Sequence, residues 1–131
     1  MKNLIVTLAL VFSGHVFAQE ATNQTIAKGM ANATVQKTGN LSKTVWYYES
    51  GKVKEIGYFK NGLKHGTWTS YDENGNKIMQ ANYNNGIKDG NWCVWHTNGL
   101  LKYHLVYEDG KRILSTEWDI DGNVVAGNQS K

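Results

Sequence analysis

Proline is absent from the chain and cysteine occurs once, at Cys93. Without proline there is no proline-rich extended segment, which excludes collagen-like and PxxP-type recognition chains. With one cysteine no internal disulfide can close, and no Cys-x-x-Cys pair exists for a structural zinc or a redox dithiol. Cys93 lies in WCVW, where a small buried apolar side chain is the expected role. Long apolar runs are scarce as well: Leu4 to Phe12 spans about nine residues, well short of the ~20 that cross a bilayer. Charge of one sign is nowhere concentrated. Lys52, Lys54, Lys60, Lys64, Lys77, Lys88 and Lys102 each stand apart, and only Lys111 and Arg112 are adjacent, which argues against a nucleic-acid surface.

The first residues combine Lys2, that short apolar stretch and Val16-Phe17-Ala18, the three-part layout of a secretory signal peptide. The expectation is a signal helix over residues 1–18 cleaved after Ala18, and an exported chain in the periplasm, at the cell surface or secreted, with no stable membrane span after cleavage. Cleavage removes Lys2 and no acid, leaving 13 basic against 11 acidic residues, about +2. Residues 19–43 contain no aromatic side chain and few apolar ones, too little to offset the entropy of ordering, so they read as a flexible leader. Residues 127–131 read as a C-terminal tail.

Glycine and aromatics are what the chain has in quantity, with 14 Gly, 5 Trp and 7 Tyr. They recur with a period. NGLKHGTW at 61–68 returns as NGIKDGNW at 85–92, 24 residues later. Gly51, Gly75 and Gly99 keep that step, as do Gly62, Gly86 and Gly110, and Gly66 with Gly90. Tyr47, Tyr71 and Trp95 each precede the first glycine series by four, and Trp118 precedes Gly122 by four in a copy one residue shorter. A period of this size marks an array of supersecondary units, none able to bury its apolar face alone.

Asn-Gly supplies the two positive φ angles of a tight hairpin turn, and here it flanks runs of about six residues rich in β-formers, too short for helices. In one run Met79, Ala81 and Tyr83 alternate with Gln80 and Asn82; one copy later Tyr103, Leu105 and Tyr107 alternate with Lys102 and His104. Alternation places one set on each face of a strand. The fold class is therefore all-β: an elongated single-layer antiparallel meander of hairpins over residues 44–126. About seven or eight strands are expected, roughly 35 Å along the array and roughly 20 Å across. Gly51, Gly62, Gly66, Gly75, Gly86, Gly90, Gly99 and Gly110 are structural turns, and the linker lysines are expected to stay in water.

The pattern G-x-W-x-x-Y-x-x-x-G at Gly66, Trp68, Tyr71 and Gly75, repeated at Gly90, Trp92, Trp95 and Gly99 and followed by an aromatic-x-N/D-G step, resembles the MORN-repeat variant family. The resemblance covers residues 44 to about 112 and weakens towards 125, where Leu114 and Ser115 stand in the glycine and tryptophan slots. It implies a hairpin array working as an interaction scaffold, and bacterial relatives are often labelled antitoxins, so toxin neutralisation is the second expected role.

No catalytic grouping emerges. His65, His96 and His104 form no H-E-x-x-H, no G-x-S-x-G elbow is present, and the paired acids flank turn glycines, where they bond their own backbone. The reading is non-enzymatic, with no cofactor and no metal. The candidate interaction surface is the aromatic set Tyr58, Trp68, Tyr71, Trp92, Trp95 and Tyr103, whose flat rings suit an apolar protein surface or sugar rings and equally suit a core. The three-residue Trp-to-Tyr step puts the two rings on opposite faces unless a bulge intervenes. Expected partners are a protein or an envelope component, carbohydrate included, and a homo-oligomer stays open.

Overall fold

The computed structural model describes residues 32–129, and over them the protein is one open antiparallel sheet with no helix. The signal segment and residues 19–31 lie outside the described residues. The strands are β1 (Ala33–Thr38), β2 (Leu41–Tyr47), β3 (Val53–Lys60), β4 (Leu63–Lys64), β5 (Gly66–Tyr71), β6 (Lys77–Asn84), β7 (Ile87–Lys88), β8 (Gly90–Trp95), β9 (Leu101–Glu108), β10 (Lys111–Trp118) and β11 (Val124–Gln129). They run β1-β2-β3-β5-β6-β8-β9-β10-β11 across the sheet, with β4 on β3 and β7 on β6. Apart from the short returns β4 and β7, consecutive strands are neighbours, the meander that tandem hairpins produce.

Two expected boundaries move outwards. The leader ends earlier than residue 43, because β1 pairs along its full length with β2 and β2 with β3. That segment is poor in aromatics, but Ala33 sits opposite Trp46 and is 6% exposed, so its ordering comes from the neighbouring strand's ring and ladder bonds. At the other end β11 continues through residues 127–129 and pairs with β10 from Trp118 back to Leu114. The path therefore holds nine strands, more than the seven or eight expected.

Each long-edge turn has the same build. Tyr48, Asp72, His96 and Asp119 each donate a backbone N–H across the turn at 2.8–2.9 Å and accept one from the following glycine at 2.9–3.1 Å. Asp72 Oδ1 also accepts from the N–H groups of Asn74 and Asn76, and Asp119 Oδ1 from those of Asp121 and Asn123. These bonds hold both carboxyls below the usual carboxylate range, the Asn76 and Asn123 side chains contributing first. Just before every such turn the register shifts, at Trp46/Tyr47, Ser70/Tyr71, Val94/Trp95 and Glu117/Trp118.

The eight-letter linker builds the other edge. Asn61 and Gly62 stand at φ 51° and 80°, Asn85 and Gly86 at 46° and 86°, the mirror-image turn that matches strand twist. β4 and β7 then fold back on β3 and β6. Between the pairs Phe59↔Lys64 and Ile56↔Thr69, two residues of β3 face four of the returning chain, and the same count holds between Tyr83↔Lys88 and Gln80↔Cys93. Gly66 (φ 67°) and Gly90 (φ 82°) make this wide bulge possible. In the last copy Leu114 replaces that glycine, and the return narrows to one extra residue between Arg112 and Leu114. Successive linkers are also bonded to each other: Gly86 N–H donates to Lys64 O at 2.7 Å and Gly110 N–H to Lys88 O at 2.9 Å.

The core is thin, as one layer requires. Ala33, Thr44, Gly57, Trp68 and Ala81 are the buried residues among those described, with Trp68 3% and Ala81 0% exposed. Gly57 makes room for Trp68: a Cβ there would lie 2.5 Å from the indole ring. Gly57 and Ala81 are 24 residues apart, each 11 before a repeat tryptophan.

Candidate functional site

Register and alternation divide the side chains between two faces. One face carries Trp46, Phe59, Trp68, Tyr83, Trp92 and Tyr107, a row of rings in sequential contact with centroids 5.1–6.3 Å apart, all of them edge-on or tilted. Every ring–ring contact among the described residues falls in this row. The linker lysines close it from outside. Lys64 Nζ stands 3.9 Å from the Trp68 ring centroid and 4.9 Å from that of Tyr83, and Lys88 Nζ 4.4 Å from Trp92 and 5.0 Å from Tyr107. These lysines do not simply extend into water, because each ammonium finds two negative ring faces in a geometry the back-folded β4 and β7 impose.

The indole N–H groups are used in the same repeated way. Trp68 Nε1 donates to Tyr58 O at 3.1 Å and Trp92 Nε1 to Asn82 O at 2.9 Å. This face is a self-packed structural layer. Burial first, and then the Glu55 charge, raises the Tyr83 hydroxyl above its ordinary pKa. Tyr103, at the far end, donates its hydroxyl to Glu117 Oε1 at 2.7 Å, and that bond holds its pKa up.

The opposite face is open and has two zones. Near the linker edge lies a polar line: Thr67 Oγ1 donates to Asn82 Oδ1 at 2.7 Å, Asn82 Nδ2 to Asn91 O at 2.7 Å, and His104 Nε2 pairs with Asn91 Oδ1 at 2.9 Å. Near the other edge stand Tyr47, Tyr71, Trp95 and Trp118, all half-buried and each ending the first strand of its hairpin. A depression of about 510 Å³ lies at Tyr71, lined by Gly51, Lys52, Val53, Ile56 and Gly75. Another of about 320 Å³ lies at Trp95, lined by Asn76, Lys77 and Gly99. Cys93 is half-buried on this face, its thiol pushed up by burial against the opposing pull of Lys77.

The six aromatic candidates therefore do not form one surface. Trp68, Trp92 and Tyr103 point to the packed face and Tyr58, Tyr71 and Trp95 to the open one, since residues two apart on a strand share a side and the pre-turn bulges do not flip Tyr71 or Trp95. Trp68 is buried and drops out as a contact residue. Sequence reasoning left Tyr47 and Trp118 out of the candidate set although their positions four before a turn glycine were the signal for them. Among the described residues no group of three or more His, Cys, Asp or Glu is placed to hold a metal, and His96 Nε2 is committed to Trp118 O at 3.0 Å. Nor is any helix there long and apolar enough to cross a membrane.

Among curated proteins none matches the chain. Structures of two solved proteins share its backbone trace loosely. TarM of S. aureus aligns with 66% of this chain and 17% of its own length at 16% identity and a TM-score of 0.44. A chain of the GtfA/B complex aligns with 88% of this chain and 22% of its own at 15% identity and a TM-score of 0.46. The chain thus spans about a fifth of the length of those solved chains. The family model described as MORN repeat variant matches residues 43–61 and 64–85, the stretch holding the first wide bulge and the first lysine-capped tryptophan. Over those residues the chain is similar to MORN-variant repeats, and its 24-residue glycine and aromatic spacing continues to Gly110.

Proposed function

We propose that this protein is a non-enzymatic, exported binding module whose open face, at the Tyr71 and Trp95 edge, engages a component of the cell envelope. The repeat family supports a binding scaffold, and the signal-like segment before residue 19 supports export. The observation that carries the reading is the division of labour between the faces. The packed face has its rings in edge-on and tilted contact and its ammonium groups over them, while the open face keeps half-exposed rings beside two recessed patches. A sheet one layer thick gains little stability from rings on its open side, so their presence there points to contact with something else.

The test uses the processed full chain on a solid support. It is expected to retain envelope material saturably, and Tyr71→Ala combined with Trp95→Ala is expected to abolish retention with the far-ultraviolet circular dichroism unchanged. Retention that survives the double substitution refutes the reading. Mass analysis of the exported chain is expected to start at Gln19.

A further inference from the structure

The rings of the open face are spaced by the repeat. Tyr47, Tyr71, Trp95 and Trp118 lie on β2, β5, β8 and β10, and from Tyr47 to Trp95 each is separated from the next by one intervening strand. Two strand steps put successive rings roughly 10 Å apart. At that distance they make no ring–ring contact with each other, in contrast to the packed row. The depressions at Tyr71 and Trp95 are equivalent one repeat on, with Lys52, Val53, Tyr71 and Gly75 succeeded by Asn76, Lys77, Trp95 and Gly99. A ligand matched to such a surface is itself periodic and extended.

Charge narrows the class. At strand positions of the open face stand Lys43, Lys54, Lys60, Lys77 and Lys102, while the carboxylate there is Glu108, paired in register with Lys111. The nearby turn carboxylates of Asp72 and Asp119 are occupied by their own backbone amides. Lys77 is the register partner of Tyr71 and holds its Nζ 5.5 Å from the Trp95 centroid, so one cation sits in the gap between two rings.

Resting on the open-face reading above, we infer that the Tyr71–Lys77–Trp95 strip binds an extended, equatorially linked polysaccharide that carries carboxylates. The apolar C–H faces of two sugars, set two units apart along the chain, lie on Tyr71 and Trp95, and a carboxylate between them meets the Lys77 ammonium. A two-unit advance of such a chain matches the two-strand advance of the protein. A globular protein surface has no such interval.

The experiment titrates the processed chain with β-1,4-linked glucuronic acid oligomers of graded length and follows tryptophan fluorescence. β-1,4-linked glucose oligomers, identical in backbone and lacking the carboxylate, serve as the neutral comparison. Saturable binding of the acidic series is expected, rising steeply once the oligomer exceeds about three units and reaches both rings. Trp95→Ala is expected to weaken it at least tenfold. Lys77→Gln is expected to weaken the acidic series about tenfold and leave the neutral series unchanged. No saturable signal with the acidic oligomers overturns the inference, as does wild-type affinity in Trp95→Ala or an equal response to oligothymidylate, which would mark indifferent polyanion binding. If the Tyr71 and Trp95 double substitution abolishes envelope retention while no oligomer binds, the open face remains a contact surface and the polysaccharide assignment alone fails.

Discussion

Replacing Gly57 with alanine separates two forces that act in opposite directions. Gly57 lies in β3 without positive φ, so the backbone accepts alanine, and the lost unfolded-state entropy alone would stabilise the protein by about 0.4–1 kcal/mol. The structure predicts the reverse. The added methyl would stand 2.5–2.6 Å from three carbons of the Trp68 ring, against the ~3.5–4.0 Å of a comfortable carbon contact. The indole must move, and it is 3% exposed, donates to Tyr58 O and lies under Lys64. Overpacking costs about 1–3 kcal/mol, the hydrogen bond about 1 and the cation–π contact about 0.5–1. Because the ring shifts rather than leaving the layer, a net loss of about 2–4 kcal/mol is expected. Urea unfolding followed by tryptophan fluorescence measures it, with near-ultraviolet circular dichroism reporting the ring's surroundings. Ala81→Gly, in the same slot one repeat later, is the companion measurement. There a methyl is already accommodated, so removing it should cost about 1 kcal/mol. A Gly57→Ala protein as stable as the parent, with an unchanged near-ultraviolet spectrum, would refute the account of the core.

The two repeat tryptophan slots should respond differently. Trp92→Ala is expected to lower stability by about 2–4 kcal/mol through loss of its ring contacts and its bond to Asn82, whereas Trp95→Ala should change the unfolding midpoint little. Equal losses in the two variants would contradict the assignment of faces. Asp72 and Asp119 have pKa values lowered in the folded protein, so their turns contribute stability above the ordinary carboxylate pKa that is lost as pH falls through the depressed values. An acid titration of the unfolding midpoint should therefore decline below about pH 4, and the decline should shrink in Asp72→Ala; an identical profile in that variant would exclude the turn as its source. Cys93 should alkylate more slowly at neutral pH than a free thiol, since burial raises its pKa, and Lys77→Gln should slow it further by removing the cation that opposes that rise. A rate matching free cysteine would show the thiol to be open to solvent.

The repeat was legible because it is written in residues with special backbone demands. Asn61-Gly62 and Asn85-Gly86 need positive φ, and few sequences satisfy that need twice at a fixed interval by chance. Their lysines were misread as solvated, because nothing local announces that the chain after Asn-Gly doubles back and lays Lys64 over a ring four positions further on. Gly57 was equally silent: within a strand a glycine reads as weakness, and only the incoming indole explains it. β1 escaped notice for a related reason. ATVQKT has few apolar groups of its own and is held by the ladder that β2 extends to it. Of the candidate surface, the three-residue step between Trp68 and Tyr71 did signal opposite sides, and the structure adds that bulges before each turn leave that alternation intact.

The bonds from Gly86 to Lys64 and from Gly110 to Lys88 tie each linker to its immediate neighbour in the series. A duplicated block of 24 residues inserted between them would meet donors and acceptors already suited to it on both sides. The sheet is thus open to growth by duplication in increments of roughly 10 Å, each adding one more open-face ring in the series Tyr47, Tyr71 and Trp95. Leu114, which narrows the final return, breaks that equivalence before β11.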